Sequence, residues 1–178
     1  MSMIVAIDTC AIIHLMYIQR FYLLKILGFS AVITTIYVQI EFEKGYPISH
    51  DYFFELIDKK EISKYPLQIE DLVEMANIPQ SKRASDAELS CFVIAKRMGW
   101  KAMTDDKTAC NYIQRYISMS QGSVISLVDI LLDAYSKYHL GDDELRSIQT
   151  TLKENNFHIK MDLVSEGTRR RLMTGKSV

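Results

Sequence analysis

The run VAIDTCAIIHL, Val5 to Leu15, is apolar enough for a buried strand and helix start yet carries one carboxylate, Asp8. An isolated ionised carboxylate in a dry interior costs several kcal/mol or takes up a proton, so Asp8 needs a helix N-terminus, a cation or a metal beside it. Five further acidic residues follow: Glu41 in VQIE, Asp86 with Glu88 two residues on in SDAEL, and Asp105 and Asp106 in TDDK. Carboxylates brought together without compensation repel one another. A hard divalent cation removes that conflict, since Mg²⁺ takes oxygen ligands at about 2.0 to 2.1 Å and is held by one or two carboxylates plus water and phosphate oxygens. The chemistry such a site supports is metal-assisted hydrolysis of a phosphate ester.

The elements that would position these acids alternate. Met3 to Ile7 reads as a buried parallel strand, Cys10 to Leu27 as a helix, Ala31 to Thr34 as a second strand, and Tyr37 to Lys44 as a short helix stopped by Gly45 and Pro47. Residues 51 to 77 read as helical with interruptions around Tyr65 and Pro66. Ser85 to Met98 is a helix with Ser85 as N-cap, Glu88 completing a capping box and Gly99 closing it. Lys101 to Thr104 and Ser123 to Ser126 are short strands, followed by helices over Lys107 to Tyr116 and Leu127 to Tyr138, and Gly141 to Asn155 adds another helix. The expected fold is α/β, a three-layer α/β/α sandwich on a central parallel sheet of about four to five strands, with residues 1–160 as one domain and 161–178 as a basic, flexible tail. In such a sheet Asp8, Glu41, Asp86 and the Asp105–Asp106 pair all open onto one edge, the edge where ligands gather.

Composition narrows the class. With 178 residues, 48% apolar, and only 7 Gly and 3 Pro, the chain suits one folded domain. A net charge of -1 gives no global attraction to polyanions, so nucleic acid would need a local basic patch or bound cations. The 3 cysteines, Cys10, Cys91 and Cys110, are odd in number and lack CxxC spacing, which argues against a disulfide framework or structural zinc and fits a reducing cytoplasm. No stretch approaches ~18 consecutive apolar residues, so neither a signal peptide nor a membrane span is expected.

The constellation resembles the PIN-domain nucleases. In that family a strand ends in Asp followed by a small polar pair, here IDTC; a second acid sits in a Val-x-x-Glu helix, here VQIE; a third opens a helix of small residues, here SDAELSCFVIA; and a fourth lies in a Thr-x-Asp turn, here TDDK. The likeness runs in order from about Ile4 to Leu132, and the ISLVDILLDAY and LKENNFHI segments are similar to a prokaryotic branch of the family. Cys10 departs from the Asn or Ser more usual at its position. The resemblance implies a PIN-like fold and an endoribonuclease that binds one or two Mg²⁺ or Mn²⁺ ions through Asp8, Glu41, Asp86 and Asp106, with Asp105 the alternative to Asp106 and Glu88 the alternative to Asp86. Helical geometry separates Asp86 from Glu88 by about 200°, and Asp86, at the helix start, is favoured. Thr9 and Thr104 would orient carboxylates or the scissile phosphate, and Lys82 and Arg83 are the cations placed to touch nucleic acid. The prokaryotic branch further implies a VapC-like toxin ribonuclease neutralised by an antitoxin protein and assembled as a homodimer, with the apolar helices after Asp51 as the interface.

Other residues read as structural. Asp129 and Asp133 form a surface stripe, Asp142, Asp143 and Glu144 suit the start of a helix, His14 is a core histidine, and the methionines fill core gaps. Competing functions are a catalytically silent PIN-fold binding module and a DNA-directed nuclease. Phosphoryl transfer through an aspartyl intermediate of the haloacid-dehalogenase kind requires a second Asp two residues after the first, and Cys10 stands there.

Overall fold

In a computed structural model, which describes residues 3–45 and 47–174, the alternation of strand and helix resolves into one all-parallel sheet. Its strands are β1 (Met3–Ile7), β2 (Phe29–Thr34), β3 (Ser63–Lys64), β4 (Lys101–Met103) and β5 (Val124–Ile125), in the spatial order β3-β2-β1-β4-β5. β1 is central: Val5 lies beside Val32 on one side and Ala6 beside Ala102 on the other. Val5, Ala6 and Ile7 are all fully buried. Successive strand residues face opposite sides of a sheet, so burial of all three means both faces are covered, as a three-layer α/β/α sandwich requires.

The chain builds outward from β1 through β2 to β3, then crosses back to place β4 and β5 on the other flank. The topological switch therefore lies between β1 and β4, and a crevice opens where those two strands end. The helices that frame it are α1 (Thr9–Ile18), α3 (Ile36–Lys44), α6 (Asp86–Met98), α7 (Lys107–Ile113) and α8 (Leu127–Ser136); α2 (Leu23–Ile26), α4 (Pro47–Asp58), α5 (Ile69–Ala76), α9 (Asp142–Glu154) and α10 (Leu163–Thr174) complete the layers. α6 is buried almost continuously from Leu89 to Ala95 because it packs on β1 and β4 beneath α3 and α5. Among the described residues no helix is long and apolar enough to cross a membrane.

Three local expectations differ from the structure. The helix read across Cys10 to Leu27 breaks at Gln19, which takes a left-handed conformation (φ 53°) and closes α1 with its backbone N–H on Leu15 and Met16. Gln gives no such stop signal, whereas Gly or Asn would. β3 falls inside the stretch read as helical; Ser63 and Lys64 pair with Ile33 and Thr34 from an exposed sheet edge and carry no apolar alternation. The tail expected to be flexible from residue 161 is instead helical as α10 through Thr174, while 175–178 lie outside the described residues.

α10 is anchored by burial of Leu163 and Val164 and by Arg171, whose guanidinium lies 3.5 Å from the Tyr135 ring centroid and 4.3 Å from that of Tyr138. Arg171 Nε also donates to the Tyr135 carbonyl at 2.8 Å. Gly167 lets this packing close, since a Cβ there would come within 2.8 Å of Tyr135 Cε1. The Tyr135 ring is fully buried and its hydroxyl donates to Asp142, so it has little room to yield. Gly167→Ala is accordingly expected to destabilise the fold by about 1–3 kcal/mol, read as a lowered urea midpoint with unchanged slope.

Candidate metal centre

β1 delivers Asp8 to the crevice. Its backbone N–H donates to Met103 O at 3.2 Å, tying the end of β1 to the end of β4, and its extended backbone makes it the N-cap of α1. One carboxylate oxygen, Oδ1, accepts from the Ala11 N–H at 2.9 Å, and the Cys10 thiol lies 3.2 Å from both oxygens. With the residue only 1% exposed, burial pushes the Asp8 carboxyl up to about 7, and the nearby Glu88 charge adds to the rise, while bonds from Thr104, Ala11 and Cys10 oppose it. A helix N-terminus alone is thus not enough compensation for this carboxylate.

Glu88 meets it from α6. The capping box at Ser85 folds Glu88 back over the start of the helix, where Oε2 accepts from Ser85 N at 2.7 Å and from Ser85 Oγ at 3.2 Å. Burial raises the Glu88 carboxyl above the usual range, with the Asp106 and Glu41 charges acting in the same direction. Asp8, Cys10 and Glu88 present ligand atoms within 4.8 Å of one another, near enough for the two carboxylates to share one cation.

Glu41 and Asp106 lie outside that group but near enough for their charges to act on Glu88. α3, capped by Thr35, carries Glu41 to a point where the Thr9 hydroxyl donates to Oε2 at 2.5 Å. Asp106 caps α7, accepting from Thr108 N at 2.8 Å and Ala109 N at 2.9 Å through the one oxygen Oδ1. Thr104, buried at the end of β4, accepts from Asp106 N at 3.2 Å and hydrogen-bonds the Asp8 carboxylate, so one hydroxyl fixes two acids. Glu88 therefore feels Asp8, Glu41 and Asp106 together.

Two residues named from sequence stand elsewhere. Asp86 is exposed at the first position of α6, lining a groove and outside the Asp8–Cys10–Glu88 group, while Glu88, its alternative, lies within that group. The 200° separation does send only one of the pair inward; the capping box decides that it is Glu88. Asp105, the alternative to Asp106, is engaged by other partners. Its side chain is fully buried, with Oδ2 2.7 Å from His14 Nδ1 and Oδ1 accepting from Leu127 N at 2.7 Å, which joins α1 to the start of α8. His14 is half-buried, its ring centroid 4.0 Å from that of Phe157 at a 32° tilt, and pairs with that one carboxylate. Asp105→Ala is expected to cost about 2–4 kcal/mol in chemical denaturation by stranding both donors, with divalent-cation affinity retained. Loss of cation affinity with the fold intact would return Asp105 to the metal centre.

Lys82 and Arg83 are both exposed in the segment before α6. Lys82 lines a groove of about 1070 Å³ together with Glu41 and Asp86. The donor chemistry suits a hard ion: the Cys10 thiol is pushed well above its ordinary range by burial and by the Asp8 and Asp105 charges, so it stays protonated as a donor to Asp8 and leaves carboxylate oxygens as the ligands. No family model matches the chain, and no curated protein matches it.

Proposed function

We propose that the chain is a Mg²⁺- or Mn²⁺-dependent endoribonuclease of the PIN type. The observation that carries this reading is the approach of Asp8 and Glu88, brought from β1 and α6 to one crevice, with Glu41 and Asp106 close enough for their charges to act on Glu88. Asp8 and Glu88 would hold the cation, and Glu41 and Asp106 would complete the acidic wall around it. When bound, the ion supplies positive charge for the non-bridging phosphate oxygens and lowers the pKa of water. Thr9 keeps Glu41 in place, and Thr104 holds Asp8 and the Asp106 turn. The buried setting of Asp8 strengthens each of these electrostatic interactions relative to water.

The test is cleavage of fluorogenic RNA and DNA with Mg²⁺, Mn²⁺ or EDTA. RNA cleavage that EDTA abolishes is expected, with Glu41→Gln slower by about 10²-fold or more. Thr9→Val, which leaves Glu41 without its donor, is expected to lose about tenfold. Cleavage of DNA alone would change the substrate class, and cation binding without cleavage of either polymer would leave a silent binding module.

A further inference from the structure

Tyr37, Glu41 and Lys44 follow one another on α3 at intervals of four and three residues, so they lie on one face of the helix. The array spans about 10 Å along the axis at 1.5 Å per residue, with a metal-centre carboxylate between an aromatic ring and a cation. All three line the same groove of about 1070 Å³ that Lys82 and Asp86 border. Leu72 and Met75 of α5 and Ile78 beyond it give the groove an apolar wall, and Lys82 adds a second cation to its lining. Lys44 and Lys82 are exposed, and among the described residues neither takes part in an ion pair. Tyr37 is half-buried against the core, which holds its ring fixed.

From this arrangement we infer that the groove binds an unpaired nucleic-acid strand and leads it to the carboxylates, with a base stacked on Tyr37 and backbone phosphates on Lys44 and Lys82. An apolar wall beside cations suits a strand whose base faces are free, because stacking on side chains and phosphate neutralisation act together there. A duplex hides those faces within its own stack and offers only groove edges and phosphates. An amphipathic peptide helix would use the apolar wall but give Lys44 and Lys82 no phosphate to meet. The inference rests on the nuclease reading, which explains why a phosphodiester should reach Glu41.

Binding measured without metal separates the groove from the chemistry. Fluorescence anisotropy of a labelled single-stranded 12-mer RNA is followed with the full chain in EDTA between about 50 and 200 mM KCl. Lys44→Ala/Lys82→Ala is expected to weaken binding tenfold or more at the lower salt and to flatten the slope of log K against log salt by about 1.4, or ~0.7 per phosphate contact on a single strand. Tyr37→Ala is expected to lose roughly 5- to 100-fold, and Tyr37→Phe, which keeps the ring and the core packing, to retain wild-type affinity. A duplex of the same sequence is expected to bind at least tenfold more weakly. An unchanged salt slope in the double lysine variant, unchanged affinity in Tyr37→Ala, or equal binding of duplex and single strand would each overturn the groove. Should the expected binding pattern appear with no cleavage on adding Mn²⁺, the groove stands and the nuclease reading falls. Cleavage by wild type with no effect of the groove variants on binding means the reverse: the nuclease stands and the groove falls.

Discussion

Glu88→Gln is expected to reduce metal-dependent RNA cleavage by about 10³-fold or more, while Asp86→Asn keeps the rate within roughly tenfold. The two residues are neighbours on the first turn of α6, but the capping box turns Glu88 toward Asp8 and leaves Asp86 exposed to the groove. Gln keeps the size of Glu88 and can still accept from the Ser85 N–H, so the helix start is retained. What it loses is the negative charge and one strong ligand oxygen. Initial rates at saturating RNA with Mn²⁺, set beside thermal melts of both variants, check the ranking. The opposite order would place Asp86 at the metal and remove Glu88 from it.

Asp8→Asn is expected to abolish cleavage and, in metal-free buffer, to make the protein more stable. Folding raises the Asp8 carboxyl from 3.8 to about 7. The folded protein therefore holds a proton that the unfolded chain has released across that interval. Stability from this group is full below about pH 4, falls as the pH climbs toward 7, and is flat beyond. Asn removes the titration, so its advantage over wild type should be absent near pH 4 and reach on the order of 2–4 kcal/mol at pH 8. Saturating Mn²⁺ should close most of that gap, stabilising wild type by about 2.7 kcal/mol at a hundredfold excess over Kd and leaving the variant unmoved. Urea titrations at pH 4, 6 and 8, with and without Mn²⁺, read both effects. A variant less stable than wild type at pH 8 without metal would show that the buried charge is already compensated within the protein.

Much of this was legible in the residues because the signals were local. The β-branched run at Met3 to Ile7 marks the central strand, the acids at Asp8 and Asp106 sit one to three residues past strands, and alternation of element type orders the sheet. Glu88 was legible too, since Ser85 with Glu88 three residues on is a capping box, and a box folds its acid back to the helix start. Missing was the link from that local bond to the crevice, which depends on α6 lying across β1 and β4. Asp105 and Asp106 could not be separated in sequence, because the partners that claim Asp105, His14 and the Leu127 amide, come from distant segments. β3 and α10 were hidden for a similar reason. Ser63 and Lys64 become a strand only by pairing with β2, and α10 is fixed by Tyr135 stacking on Arg171 across 36 residues of chain.

Crystals grown with Mn²⁺ and measured at the manganese edge give the most direct test. An anomalous peak within about 2.5 Å of carboxylate oxygens from both Asp8 and Glu88, with Glu41 and Asp106 around it, is the predicted result. Millimolar Mn²⁺ that leaves that crevice empty, or that settles on Asp86 or Asp105 instead, would contradict it.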